Sequence, residues 1–286
     1  MNRGSEFRKW DLHIHSPYTV LNNQFSKLED GRPDIESFIQ KIKKNNISAI
    51  GLTNYFNFTD DDFKLKTILE ERGITTFLNL EVRLSNINKS DQLFDYHIIF
   101  DNTVEDDIIR NLLGELKANI GSTEKAFNRL NREEIEYYAN IDFKSLRKTL
   151  EINLELNGNY LKGFLSRGHG SATSDSDPKN QAVYEEICVN SDFIIHSSCN
   201  DALTCVDPKC KHRNIISDRE YWLYSSKYVR PLLQSSDSHS LEEIGTKYSW
   251  IKSDLTFEGL KQIIFEPEYR ICVEKEKPVR TDILPL

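Results

Sequence analysis

The 286-residue sequence contains no apolar run near the roughly 20 residues that a membrane-spanning helix needs. An excess of positive charge is missing too. Lys and Arg number 37 against 45 Asp and Glu, giving a net charge of -8 and a pI near 5.5. The overall charge therefore gives no ground to infer nucleic acid held by bulk electrostatics, although nucleic acid is not excluded, since a metal cluster would supply local positive charge that a residue count misses. No apolar stretch follows the basic start MNRGSEFRKW, which reads against a secretory signal and for a cytoplasmic protein. Cysteine is scarce and odd in number: Cys188, Cys199, Cys205, Cys210 and Cys272. Reduced thiols or metal ligands fit that count better than a disulfide framework. Internal repeats and low-complexity linkers are absent. What is present, 38% hydrophobic, 29% charged and 10% aromatic residues, describes a folded chain long enough for one large α/β domain.

Seven segments read as strands: 9–16, 48–54, 75–84, 95–100, 160–168, 192–198 and 230–239. Helical patterns separate most of them, including DIESFIQKIKKNN behind Pro33, DDDFKLKTILEERG, VEDDIIRNLLGELKANIG and PKNQAVYEEICVNS. A further helix, TFEGLKQIIFEP, follows the last strand, with Thr256 and Glu258 where a helix start is expected. Strand and helix in alternation predict a parallel sheet or barrel. Residues 101–159, almost wholly helical in pattern, read as an insertion between the fourth and fifth strands. The predicted organisation is one barrel domain over residues 1–275 and an exit tail, 276–286, where charge, proline and lost periodicity coincide.

Six of the seven histidines fall at or near strands: His13, His15, His97, His169, His196 and His239. Glu81 and Asp237 occupy matching places. In a parallel β/α barrel the strand ends converge on one face, so these residues would meet. Residues two apart on a strand face the same side, so His13 and His15 can share one ion. Asp11, one step farther back, is placed to orient an imidazole from behind. The Asp237-Ser238-His239 triplet repeats the same spacing. Imidazole and carboxylate together suit zinc, manganese or iron and lower the pKa of a bound water.

These residues resemble the polymerase and histidinol phosphatase (PHP) family of metal-dependent phosphoesterases. DLHIHS, GLTNYF, LEVRL, DYHIIF, SRGHGS and SSDSHS match its motifs in order, across nearly the whole chain. RKWDLHIHSP and KYSWIKSDLTFEGLKQIIFEPEYRI further resemble PHP modules that precede AAA or SMC-like ATPase regions in TrlF-type and related anti-phage defence proteins. The resemblance implies a distorted (β/α)7 TIM-like barrel. It also implies a nuclease or phosphatase acting on nucleic acid or a nucleotide, and an ATPase as fused region or partner. His13, His15, Glu81 and Asp237 would hold one ion, with Glu81 bridging to a second held by His97 and His169.

The family's T-D-H motif reads Thr53-Asn54-Tyr55 here, and only Val20, Leu21, Asn22 and Asn23 stand where a further acid is expected. His239 alone remains of the third set, so two ions are expected and the third is weak or absent. This departure opens an alternative, a catalytically degenerate module that binds nucleic acid, a nucleotide or a partner ATPase. Beside Asp237, the candidate catalytic residues are His196, as proton donor or ligand, and Arg167. The plainer readings are a buried histidine bonded to backbone and a structural salt bridge. Arg83, Arg167, Asn54 and Tyr55 are the candidate substrate-binding residues. Cys199, Cys205, Cys210 and His212 offer a structural zinc set, against which stand irregular spacing and the absence of a C-x2-C knuckle.

Overall fold

The structure, a computed structural model, describes residues 6–87, 92–165, 178–196, 231–272 and 276–278. Its strands are β1 (Phe7–His15), β2 (Ile47–Tyr55), β3 (Thr75–Ile87), β4 (Leu93–Phe100), β5 (Lys117–Ile120), β6 (Thr123–Ala126), β7 (Tyr160–Leu165), β8 (Phe193–His196), β9 (Leu232–Gln234), β10 (Ser249–Lys252) and β11 (Ile271–Cys272). Its helices are α1 (Ile35–Lys44), α2 (Asp60–Glu71), α3 (Asp106–Glu115), α4 (Arg132–Tyr137), α5 (Phe143–Ile152), α6 (Pro178–Val189), α7 (Phe257–Phe265) and α8 (Pro267–Arg270). Among the described residues no helix is long and apolar enough to cross a membrane.

Nine strands form one sheet in the order β11-β10-β1-β2-β3-β4-β7-β8-β9. The seven expected strands are neighbours in chain order, and β10 and β11 extend the sheet beyond β1. Just after β9 the chain returns to β1 through a parallel bridge between Ile14 and Ser238, so the sheet nearly closes into a barrel. The expected all-parallel arrangement is corrected at β4, which pairs antiparallel with both β3 and β7. The short 88–92 connection between β3 and β4 explains this, because a parallel crossover needs about a dozen residues or more. Region 101–159 is corrected as well: α3 stops at Glu115, and β5 and β6 form a hairpin. Its two-residue turn places Gly121 at φ +61°, which only glycine adopts freely, in the Gly-X order of a tight hairpin.

Helix starts follow from local chemistry. Asp34 caps α1 by accepting from Ser37 N, and Thr59 and Asp62 form a reciprocal capping box on α2, so the acidic run at 60–62 is a helix start as its pattern indicates. Thr256 Oγ1 accepts from Gly259 N at the start of α7.

The two faces of the sheet differ in what they bury. On β3 the alternate residues Leu78, Leu80, Val82 and Leu84 join the outer core beneath the helices, while Phe77 belongs to a separate inner cluster. That cluster brings Trp10, Leu12, Phe77, Ile99 and Phe193 against Phe257, Leu260 and Ile263 of α7, which makes an apolar floor. Continuing along the same inner face of β3 come Asn79, Glu81 and Arg83, opposite Ile99, His97 and Asp95 of β4. Period-two alternation thus stacks a polar layer on a dry one.

Candidate metal centre

The polar layer converges on His13. Its Nε2 lies 3.2 Å from His15 Nε2, 3.1 Å from Glu81 Oε2 and 3.1 Å from Asp237 Oδ1. His15 Nε2 is 3.3 Å from the same Glu81 oxygen and 3.4 Å from the same Asp237 oxygen. The His97 ring packs edge-on against His13 with centroids 4.5 Å apart. Two sets of ligand atoms, each mutually within 4.8 Å, share His13: His13, His15 and Asp237, and His13, Glu81 and His97. Glu81 reaches this point because β2 and β3 run parallel and put Tyr55 beside it, and His97 because the antiparallel β3–β4 register pairs it with Glu81. Asp237 is carried by the segment bridging to β1. Asp237 N donates to His13 O, His15 N donates to Ser238 O, and Asp237 itself takes φ +56°, a left-handed conformation rare outside glycine.

The electrostatics fit a cation. Burial opposes charge on Glu81, but His13 and His15 outweigh it and hold its carboxyl well below the usual range. Asp237 is likewise held low, burial again being outweighed by His13, His15 and His239. Burial would depress His13, yet Asp237 and Glu81 raise it to about 9. His97, depressed by burial and by His13, falls to about 3 and is neutral. Its Nε2 is buried without a hydrogen-bond partner. This unpartnered ring nitrogen, grouped with His13 and Glu81 next to the set of His13, His15 and Asp237, completes an imidazole–carboxylate donor set that zinc, manganese or iron accepts. The arrangement can therefore hold a metal ion or ions.

The remaining expected residues separate. His239 stacks on His15 at 4.0 Å with its Nε2 3.6 Å from Asp237 Oδ1. Tyr55 stacks on His15 from another side at 4.7 Å. Tyr55, Arg83, Asp95 and His239 line, with the ligand layer, a cavity of about 300 Å³. Asn54 is corrected as a substrate contact. Its Nδ2 donates to Asp62 Oδ2 at 3.1 Å and its Oδ1 accepts from Tyr55 N and Thr19 Oγ1, so both ends are committed away from the cavity. Asp11 is corrected too. It orients no imidazole: its carboxylate accepts from Ser236 N at 3.0 Å and Ser236 Oγ at 2.5 Å, tying down the segment that presents Asp237. Burial raises its pKa to about 7. Arg83 lines the cavity, but its Nη1 donates to Ile135 O and, at 3.4 Å, to Glu136 O of α4. His196 is the last residue of β8, next to Gln234 of β9, and the proton-donor expectation for its side chain lies outside the described residues. So do Arg167, His169, Cys199, Cys205, Cys210 and His212.

Three residues of the site were not anticipated. Asn79 and Asp95 each sit two positions before a ligand, Glu81 and His97, and the period-two rule applied backwards along each strand would have found them. Ser236 had no local signal, since its partner Asp11 is 225 residues away.

No family model matches the sequence, and no curated protein matches it. Among solved structures the chain is similar to the crystal structure of PsfC from Pseudomonas syringae PB-5123, with a TM-score of 0.43 and 12% identity over 89% of this chain and 88% of that one. What fold and site define is a mixed α/β protein whose nearly closed sheet holds a buried imidazole–carboxylate cluster of metal-binding character.

Proposed function

We propose that the protein is a metal-dependent phosphoesterase of the PHP class, with a distorted (β/α)7 barrel and two ions, acting on a nucleotide or nucleic acid phosphodiester. The observation that carries this reading is the sharing of His13 between two ligand sets, one completed by the partly exposed Asp237 and the other, wholly buried, by Glu81 and His97. When bound, the ions would neutralise phosphoryl charge and lower the pKa of a water for in-line attack. The chain's own residues supply the rest. Glu81 and Asp237, held ionised, fix negative charge against the same nitrogen of His13, and the stack of His239, His15 and Tyr55 walls the site on one flank. Arg83, braced on the α4 carbonyls, places a positive charge on the cavity wall within reach of an anionic substrate. The defence setting and the ATPase partner rest on the resemblance of two segments.

A second reading has its own support. Where the family carries an acid and a histidine, Asn54 is locked to Asp62 and a buried phenol, Tyr55, faces the cavity. Both favour a module that binds a nucleotide, nucleic acid or ATPase without turnover. The purified protein, supplied with Mn2+ and a panel of nucleotides and oligonucleotides, separates the two. The enzyme reading expects product release that His13→Ala and Asp237→Ala each abolish. Bound ions with no turnover across the panel would sink it and leave the binding reading.

A further inference from the structure

Asn79 takes part in none of the readings above, yet it is fully buried and touches three parts of the inner face. We propose that Asn79 is a positioning residue that fixes the tautomer of His97, presenting Nε2 to the ligand set with His13 and Glu81 as a lone pair prepared in advance for a cation. The identity of that cation rests on the proposed two-ion reading, while the tautomer does not.

The neighbours of Asn79 decide which end of its amide is nitrogen. One end lies 2.9 Å from Leu12 O and 3.1 Å from Thr53 Oγ1. A carbonyl oxygen has no hydrogen to give, so the end facing Leu12 must be Nδ2. Thr53 directs its own hydroxyl hydrogen to Gly51 O at 3.1 Å, so towards Asn79 it accepts, and the assignment is made twice. The amide oxygen is then left facing His97 Nδ1 at 3.2 Å. An oxygen there requires a hydrogen on Nδ1, and in the neutral ring Nε2 carries none. Nε2 has no protein partner, and His97 belongs to the ligand set with His13 and Glu81. The opposite tautomer would press two lone pairs together at Asn79 and bury an N–H against nothing.

The backbone is shaped to allow this. Strand β1 leaves its register with β2 between Asp11 and Ile14. Gly51 stands opposite, and a Cβ there would lie 2.1 Å from Leu12 O. A bulge and a missing side chain thus make room for the carbonyl that orients Asn79. The outer nitrogens of His13, His15 and His239 have no such partner. Among the described residues, only His97 in this cluster has its outer nitrogen held by a side chain.

The test uses the full-length protein stripped of metal with a chelator and labelled with 15N-histidine, read by long-range proton–nitrogen correlation. The wild type should show a protonated Nδ1 and a bare Nε2 at His97. Asn79→Asp, with its buried carboxyl protonated on the oxygen that faces Leu12 O, keeps an acceptor oxygen against Nδ1 and should retain that pattern, whereas Asn79→Leu should lose it. On Mn2+ titration, Asn79→Leu should weaken one class of site roughly 10- to 100-fold, as loss of a ligand-orienting partner does, and spare the class held by His13, His15 and Asp237. A protonated Nε2 in the wild type overturns the inference, and so does a folded Asn79→Leu with unchanged affinity at both sites. Should Asn79→Leu not fold, the wild-type and Asn79→Asp spectra still decide. If the protein turns over no phosphoester, that failure falls on the function and leaves the tautomer result standing.

Discussion

Two layers of one inner face, marked on β3 by Phe77 and by Glu81 two inward positions farther on, are built on opposed physical terms. In the floor, Phe77 stacks on Trp10 with centroids 5.8 Å apart and tilts against Phe257 at 6.3 Å, all three buried. In the layer above, Glu81, His13, His15 and His97 bring charge and unpaired nitrogen into an equally buried place. Burial of apolar rings stabilises the fold outright. Burial of ionisable groups costs desolvation, and the pairing that keeps Glu81 and Asp237 charged is drawn on to outweigh that cost, which leaves the pairs little net gain in stability. The floor is therefore where the barrel keeps its stability. The ligand layer is held in place by its surroundings and would gain from a bound cation.

The strongest way to break this contrast is in the floor. Phe77→Ala should lower the unfolding free energy by about 3–5 kcal/mol, the usual cost of emptying a buried aromatic site. Urea denaturation of the metal-stripped protein measures it, and a loss below about 1 kcal/mol would show that the floor does not carry the fold. In the ligand layer the expectation is different in kind. Glu81→Gln keeps the shape but removes the negative charge shared by His13 and His15. Wild-type protein should gain about 2.7 kcal/mol from Mn2+ supplied at a hundred times its dissociation constant. The variant, at the same Mn2+ concentration, should gain almost nothing. An equal rise in thermal midpoint for both proteins would mean that Glu81 is no ligand.

The same contrast explains what could be read from the sequence. The floor and the outer core were legible as strands because apolar residues mark them whichever way a strand runs. His13, His15, Glu81, His97 and Asp237 were legible as one site because each lies on a strand or just beyond one, and a sheet curled towards closure brings such places together. The direction of β4 was not legible from alternation, since His97 faces inward in either sense. The β5–β6 hairpin was hidden by a helix-like pattern that runs on through Gly114 and reaches Gly121 before it breaks. Asn54 looked like a site residue because its neighbour Tyr55 faces the cavity, but successive strand residues point to opposite faces, and Asn54 turns to Asp62. Asp11 was read by spacing as the partner of an imidazole, yet its partner is Ser236, a contact that closing the sheet creates and no local pattern encodes.

Proton linkage gives the finest way to sharpen the comparison, because the floor does not titrate and the ligand layer does. His13, raised to about 9 by Asp237 and Glu81 against the pull of burial, lies above its unfolded value of about 6.5. Its contribution to the ion-free fold is therefore complete below about pH 6.5 and is lost as pH rises through about 9. Asp11, raised by burial to about 7, acts in the same direction over a lower window, from about 4 to about 7. Glu81 and Asp237, held low, contribute above about pH 4 and lose their part as pH falls. Ion binding runs against the His13 term, since an ion must displace the proton on Nε2. Mn2+ affinity should thus climb with pH by about tenfold per unit, or about 1.4 kcal/mol, until it levels near 9. Calorimetric titration across that range checks it, with Phe77→Ala as a control expected to keep the same slope if folded. A flat profile in the wild type would show that His13 is already deprotonated in the ion-free protein, and that Glu81 and Asp237 hold no proton between them for a cation to replace.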